Sequence, residues 1–171
     1  MRILDKNFRV TDSIRSTPNV NALPTEKALV EFSNYKSVFA AGTVYALTAT
    51  SAAVDFVTTD PSITLDKPGT YLLIARAKLN YKAATFAASR TTTMKLRRTN
   101  NTAGDVTNGA ATASTDIITT LTYTMIDQTW QTIYTTANSD DVIAIFGDVS
   151  VLPSAGSLDV AEASIIAIRI A

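Results

Sequence analysis

From Tyr71 to Lys82 the chain alternates without a slip. Tyr71, Leu73, Ala75, Ala77, Leu79 and Tyr81 share one parity; Leu72, Ile74, Arg76, Lys78, Asn80 and Lys82 share the other. Successive side chains of a β-strand point to opposite faces, so this period of two describes a strand with one face in a core and most of the other in water. Such a strand needs a sheet to belong to and a second layer to cover its apolar face.

Other segments supply that sheet. Ser62–Asp66 reads as a strand ended by Lys67-Pro68-Gly69, and Thr92–Arg98 as another, with Met94 and Leu96 on one side. Asn100-Asn-Thr-Ala-Gly104 is a turn. Ile117, Thr119, Leu121, Tyr123 and Met125 alternate with Ile118, Thr120, Thr122, Thr124 and Ile126. Trp130, Thr132, Tyr134 and Thr136 alternate with Gln131, Ile133 and Thr135. With Val142–Val151 and Ala163–Ile170 this gives roughly nine or ten short, evenly spaced strands, the signature of an all-β sandwich. The chain has no internal repeat of the solenoid or propeller kind.

Val142–Val151 is mostly apolar on both faces, as is Ala163–Ile170 apart from Arg169. In a sandwich only one face of a strand meets the core. The second apolar face calls for a partner, and another copy of the chain is the simplest one. Closed cyclic symmetry hides such faces without leaving an open surface, and a homotrimer is expected. The candidate interface residues are Tyr71, Leu73, Ile143, Ile145, Ile166, Ile168 and Ile170.

Fifteen basic and fifteen acidic residues cancel, and charged residues make up 18% of the chain. A neutral chain has no electrostatic reason to take nucleic acid or an anionic membrane as its main partner. A surface so poor in charge fits one that is partly covered by partners or built from threonine, which suits strands and stays wettable. There is no cysteine and no histidine. Disulfides, thiol nucleophiles, a Ser-His-Asp triad and a histidine-bearing zinc site are therefore excluded within the chain. No cofactor is expected.

The first part of the chain has a different character. Arg2, Lys6, Arg9 and Arg15 stand against Asp5 and Asp12, and Pro18 and Pro24 favour extended backbone. Ile3, Leu4, Phe8, Val10, Ile14, Val20 and Leu23 are scattered without period. Residues 1–42 read as an extended arm that attaches the chain to something else, with Arg2, Ile3, Leu4, Phe8, Arg9, Ile14 and Arg15 as attachment candidates; residues 43–171 read as the folded domain. Thr25–Tyr35 fits either a short helix capped by Thr25 or a strand. The opening Met1-Arg-Ile-Leu-Asp-Lys-Asn-Phe8 lacks the apolar run of a signal peptide, and no stretch is long and apolar enough to span a membrane as a helix.

Four pieces, in order, carry a family resemblance. Phe56–Leu65 leads into Pro68-Gly69-Thr70-Tyr71-Leu72-Leu73; then come Lys95-Leu-Arg-Arg-Thr99, Asp140-Asp-Val-Ile-Ala-Ile145, and Ser164-Ile-Ile-Ala-Ile-Arg-Ile170. From Ala53 onward the chain resembles the C1q/tumour-necrosis-factor-like jelly rolls. Ser139 stands where that family usually has glycine. The resemblance implies a jelly-roll sandwich and a compact trimer formed through apolar inner faces. Members include animal secreted ligands, bacterial surface tips and phage virion proteins, and a cysteine-free chain with a short arm is most similar to the last. The expectation is a non-enzymatic phage capsid decoration or head-fibre subunit on the exterior of the virion, made in the host cytoplasm. Its arm would bind the major capsid protein. The alternative is an adhesin tip that binds a receptor or host surface glycan.

Other chemistry has fewer supports. Asp140, Asp141, Asp148, Asp159 and Glu162 are the candidates for paired carboxylates, and the aspartates, above all Asp140 and Asp141 brought together in three copies, for a calcium site. The simpler reading of Asp140 and Asp141 is a polar turn before a buried strand. Arg76, Lys78 and Lys82 fall on a solvated strand face, beside Arg90, Lys95, Arg97 and Arg98 elsewhere. Trp130 and the tyrosines are expected as core or interface anchors rather than a sugar platform.

Overall fold

The computed structural model describes residues 35–56, 59–85, 89–115 and 124–171, with side chains at 42–44, 82–84, 114–115 and 124–125 left aside. Among the described residues there are nine strands and no helix: β1 Tyr35–Ala46, β2 Ala52–Ala53, β3 Ser62–Leu65, β4 Gly69–Thr85, β5 Arg90–Arg98, β6 Gly104–Thr115, β7 Thr124–Thr136, β8 Asp141–Val149 and β9 Ala155–Arg169. They form two antiparallel sheets. One has the order β1-β9-β4-β7; the other runs β2-β8-β5-β6, with β3 also paired to β8. Because β2 and β3 use the same edge of β8, they act as two halves of one interrupted strand. Counted so, first and last strands are neighbours, second and next-to-last are neighbours, and the chain winds inward in pairs. That is the jelly roll.

The core confirms the alternation read from β4. Tyr71, Leu73, Ala75, Ala77, Leu79 and Tyr81 are all buried, facing Met94 and Leu96 of β5 and Ile143 and Ile145 of β8. Gly147 in β8 makes room at the centre, where a Cβ would lie 2.7 Å from Leu47 Cδ2 and 2.9 Å from Met94 Sδ. In β9 the buried set changes parity, from Leu158 and Val160 to Ala163, Ile165 and Ala167. The register against β4 slips at the same place, where Lys78 pairs Glu162 and Leu79 pairs Val160. A bulge at Ala161 absorbs the extra residue and keeps both apolar sets in the core.

Several expectations need correction. The boundary expected between 42 and 43 falls inside β1, where Tyr35–Ala41 pair in register with Ile168–Glu162. Among the described residues the sandwich starts with β1 at Tyr35, so that residue is strand. Tyr71, Leu73, Ile143 and Ile145, expected at a subunit interface, lie in the chain's own core, with relative exposures of 5%, 0%, 0% and 0%. Arg90, named among the basic residues but placed on no face by the alternation, is 2% exposed and stacks over the Tyr81 ring at 4.7 Å. Strand β6 was not singled out in the sequence. The alternation through Ile117–Tyr123 and all seven attachment candidates in the arm lie outside the described residues.

Candidate functional site: the outer face of the β1-β9-β4-β7 sheet

The register aligns side chains in rows across this sheet. One row runs Tyr35, Ile168, Leu72, Ile133; the next runs Ser37, Ile166, Ile74, Gln131. All carry the parity opposite to the buried set of their strands. Tyr35 is 53% exposed, Phe39 61% and Ile133 54%, while Leu72, Ile74, Ile166 and Ile168 on the two central strands are half-buried. Ile170, 55% exposed, continues β9 at the same end. The structure thus gathers three of the seven interface candidates, Ile166, Ile168 and Ile170, and adds Tyr35, Phe39, Leu72, Ile74 and Ile133. The alternation in β4 already separated Leu72 and Ile74 from the core set. Tyr35 and Phe39 were missed because they stood in a segment read as arm.

Farther along the same face the chemistry changes. The row Phe39, Ser164, Arg76, Thr129 is followed by Ala41, Glu162, Lys78, Asp127. Arg76 Nη2 donates to Asp127 Oδ1 at 3.0 Å and its Nη1 lies 3.9 Å from Glu162 Oε2; Lys78 Nζ donates to Glu162 Oε1 at 3.2 Å. Two cations and two carboxylates therefore neutralise each other on the sheet. The face has an apolar half and a self-compensated polar half.

Its ends are distinct as well. Tyr35 lies opposite Ile168 and Ile168 opposite Leu72, so β1 starts at the Gly69 end of β4. The chain's last residue is at that end too: Thr70 N donates to Ala171 O at 2.7 Å and Ile170 N to Thr70 O at 2.8 Å. Gly69, at φ 149°, permits this closure, since a Cβ there would lie 2.4 Å from Ala171 O. At the opposite end the loop between β8 and β9 is tied down at both feet. Ser150 N donates to Thr91 O at 2.9 Å and Ser150 Oγ accepts from Thr91 N at 2.8 Å; Ser154 N and Oγ both donate to Thr85 O, at 2.8 and 3.0 Å. Leu152 at its tip is 51% exposed.

The candidate carboxylates do not converge. Asp141 is fully buried near the Gly69 end. Its oxygens accept from Thr136 Oγ1 at 2.5 Å, Tyr134 Oη at 2.6 Å, Asn101 Nδ2 at 2.6 Å and Asn138 Nδ2 at 3.0 Å, with Arg98 Nη1 at 3.6 Å. Burial alone would raise this carboxyl, but the hydrogen bonds from Thr136, Tyr134, Asn101 and Asn138 outweigh it and hold the group well below the ordinary carboxylate range. Burial first, then the bond to Asp141, pushes the Tyr134 hydroxyl upward. Asp140 is exposed and accepts from Asn101 Nδ2 at 3.1 Å, and Asp148 is half-buried opposite Thr93. Asp159 accepts from Ser157 Oγ at 2.9 Å and pairs Asn80, near the other end of β4. At 3.3 Å per residue, Asp141 and Asp159 are separated by about 30 Å of sheet. Glu162 belongs to the ion-pair cluster. Among the described residues no three His, Cys, Asp or Glu side chains are grouped to hold a metal ion. Trp130 is a core residue whose Nε1 donates to Gly109 O at 2.9 Å.

No family model matches this chain, and no curated protein does. Solved structures do. The Eiger TNF of S. frugiperda aligns at a TM-score of 0.48 and 11% identity, over 81% of this chain and 94% of that one. The globular domain of zebrafish complement 1qA aligns at 0.46 and 12% identity, over 81% and 97%. Infectious bursal disease virus, Gx strain, aligns at 0.47 and 11% identity, over 80% of this chain and 33% of the viral one. Likeness at this level adds nothing to the strand order, which defines the jelly roll by itself.

Proposed function

We propose that the chain is a non-enzymatic virion structural protein, a phage capsid decoration or head-fibre subunit. It assembles as a homotrimer through the outer face of the β1-β9-β4-β7 sheet, and its N-terminal arm binds the major capsid protein. The observation that carries the reading is the apolar half of that face. A sandwich that functions alone has no use for Tyr35, Ile133 and Ile170 exposed together at one end of the sheet, with Phe39 exposed where the apolar half meets the ion pairs. The exposed anchors stand on both edge strands, Tyr35 and Phe39 on β1 and Ile133 on β7. Two different edges suit a head-to-tail contact that closes into a ring. Three copies would bring three arms to one capsid site, and weak single contacts would add through effective concentration. The chain would act on the capsid exterior.

Two measurements test this. Sedimentation equilibrium should return three chains per particle at micromolar concentration; a stable monomer would remove the reading. Capsids assembled from the major capsid protein encoded with this chain should bind the purified trimer. The alternative of a fibre head that binds a host receptor or glycan is favoured by one observation, the loop Ser150–Ser154, fixed at both feet and presented at the end away from Tyr35. Binding to a glycan array that is lost on shortening this loop would support it over capsid decoration.

A further inference from the structure

The inner face of β7 carries a line of polar side chains, and all but one reach a partner. Thr136 and Tyr134 bond Asp141. Thr132 Oγ1 donates to Thr107 O at 2.8 Å and Trp130 Nε1 to Gly109 O at 2.9 Å. Those two carbonyls lie where β6 leaves its ladder with β5, since the register jumps from Lys95–Ala110 to Arg97–Asp105. The flank where β6 and β7 face each other is therefore closed by side chains reaching freed carbonyls, with no backbone ladder between the two strands. The next residue of the line is Gln128. It is 7% exposed, and neither its Nε2 nor its Oε1 has a hydrogen-bond partner among the described residues.

A second orphan stands on the opposite sheet. Thr92 of β5 is fully buried and its Oγ1 also lacks a partner among the described residues. The register puts the two at neighbouring levels. Gln128 pairs Ala77, and the bonds of Trp130 and Thr132 to Gly109 and Thr107 continue to Ala111 at the level of Gln128. Ala111 pairs Met94, and Ala113 pairs Thr92. Residues 77, 111 and 113 around the two orphans are all alanine, and Ala111 and Ala113 are only half-buried, so this part of the flank is close to solvent.

We propose that Gln128 and Thr92 form an internal hydration site, holding ordered water between the sheets beside the β6–β7 flank. A buried amide with both ends unpaired forfeits more than a typical hydrogen bond contributes, and a buried hydroxyl adds to the loss. Water making about three hydrogen bonds, to the amide, the hydroxyl and a strand carbonyl, recovers most of it. Leu or Met would otherwise fill the position at no such cost.

The probe is water itself. A crystal structure at atomic resolution should show ordered water within hydrogen-bonding distance of Gln128 Nε2 or Oε1, and of Thr92 Oγ1 directly or through a second water. In solution, the Gln128 side-chain amide protons should give water cross-peaks of the sign that reports bound rather than freely exchanging water. Gln128→Met, which conserves volume, should fold and lose the ordered water. Density showing both groups packed dry against apolar atoms, or water that persists unchanged in Gln128→Met, overturns the proposal.

Discussion

Asp141 is the residue on which the Gly69 end of the sandwich is built. Its carboxylate gathers donors from β7, from the turn after β5 and from the turn before β8, so one charge fixes three segments. Asp141→Asn keeps the shape but puts an amide group where donors already converge. The expected loss is about 3 kcal/mol, measured as a lower midpoint in urea. The pH dependence has a definite sign. The folded carboxyl titrates below its ordinary value, so its contribution is complete above the unfolded pKa of about 3.9 and drains away as pH falls toward the folded value. Wild type should lose stability below about pH 4 more steeply than Asp141→Asn does. Equal slopes would mean that Asp141 is not the group responsible. Gly147 makes a second residue-scale case. Gly147→Ala presses a methyl on Leu47 and Met94, and about 1–3 kcal/mol of overpacking is expected in thermal or denaturant unfolding.

At the scale of elements, legibility followed how much of a strand's environment its own pattern records. Asp140 is an exposed turn residue while Asp141 opens β8 fully buried, and nothing in the sequence marks Asp141 as buried, because its donors come from 101, 134, 136 and 138. Strand β4 was plain because its two faces differ. Strands β8 and β9 were visible as strands, but a segment apolar on both sides does not say which side is inside. That is why Ile143 and Ile145 were assigned outward and proved to be core, while Ile166 and Ile168 were assigned outward and are. Strand β6 escaped because Gly104–Thr115 has neither alternation nor bulk; it is an edge strand with a bulge, anchored by donors on β7. Those donors have a measurable share. Trp130→Phe keeps the ring in the core but releases the Gly109 carbonyl, and about 1 kcal/mol of stability should go with it. Hydrogen exchange should quicken in β6 more than in β4; a uniform change would count against the idea that β7 side chains hold β6 in place.

At the scale of the whole molecule, the described sandwich has an apolar face and two unlike ends. On the proposed reading, the face makes the trimer and the Gly69 end, where β1 starts, is directed at the capsid. Ile168→Asp tests the first half. Ile168 sits between Tyr35 and Leu72 on the outer face, so a carboxylate there keeps access to water in a lone sandwich and is buried unpaired in an assembled one. The variant should be folded and monomeric by sedimentation. If it stays trimeric, the contact is elsewhere; if it unfolds, Ile168 matters to the core. Deleting residues 1–24 tests the second half. The deletion leaves β1 and every described strand untouched, because the first described strand starts at Tyr35. A folded trimer is therefore expected, with the thermal midpoint of the full chain. What should disappear is capsid binding, since Ile3, Leu4, Phe8 and Ile14 with Arg2, Arg9 and Arg15 go with the deleted segment. An extended segment with spaced apolar side chains gains by lying on another protein, and the ordering entropy it gives up there limits each single contact. Three arms on one trimer would offset that limit, so Ile168→Asp, with its arm intact, should also bind capsids weakly. Full-strength binding by the monomeric variant would separate attachment from assembly. Retained binding by the truncated trimer would move the contact from the arm to the jelly roll.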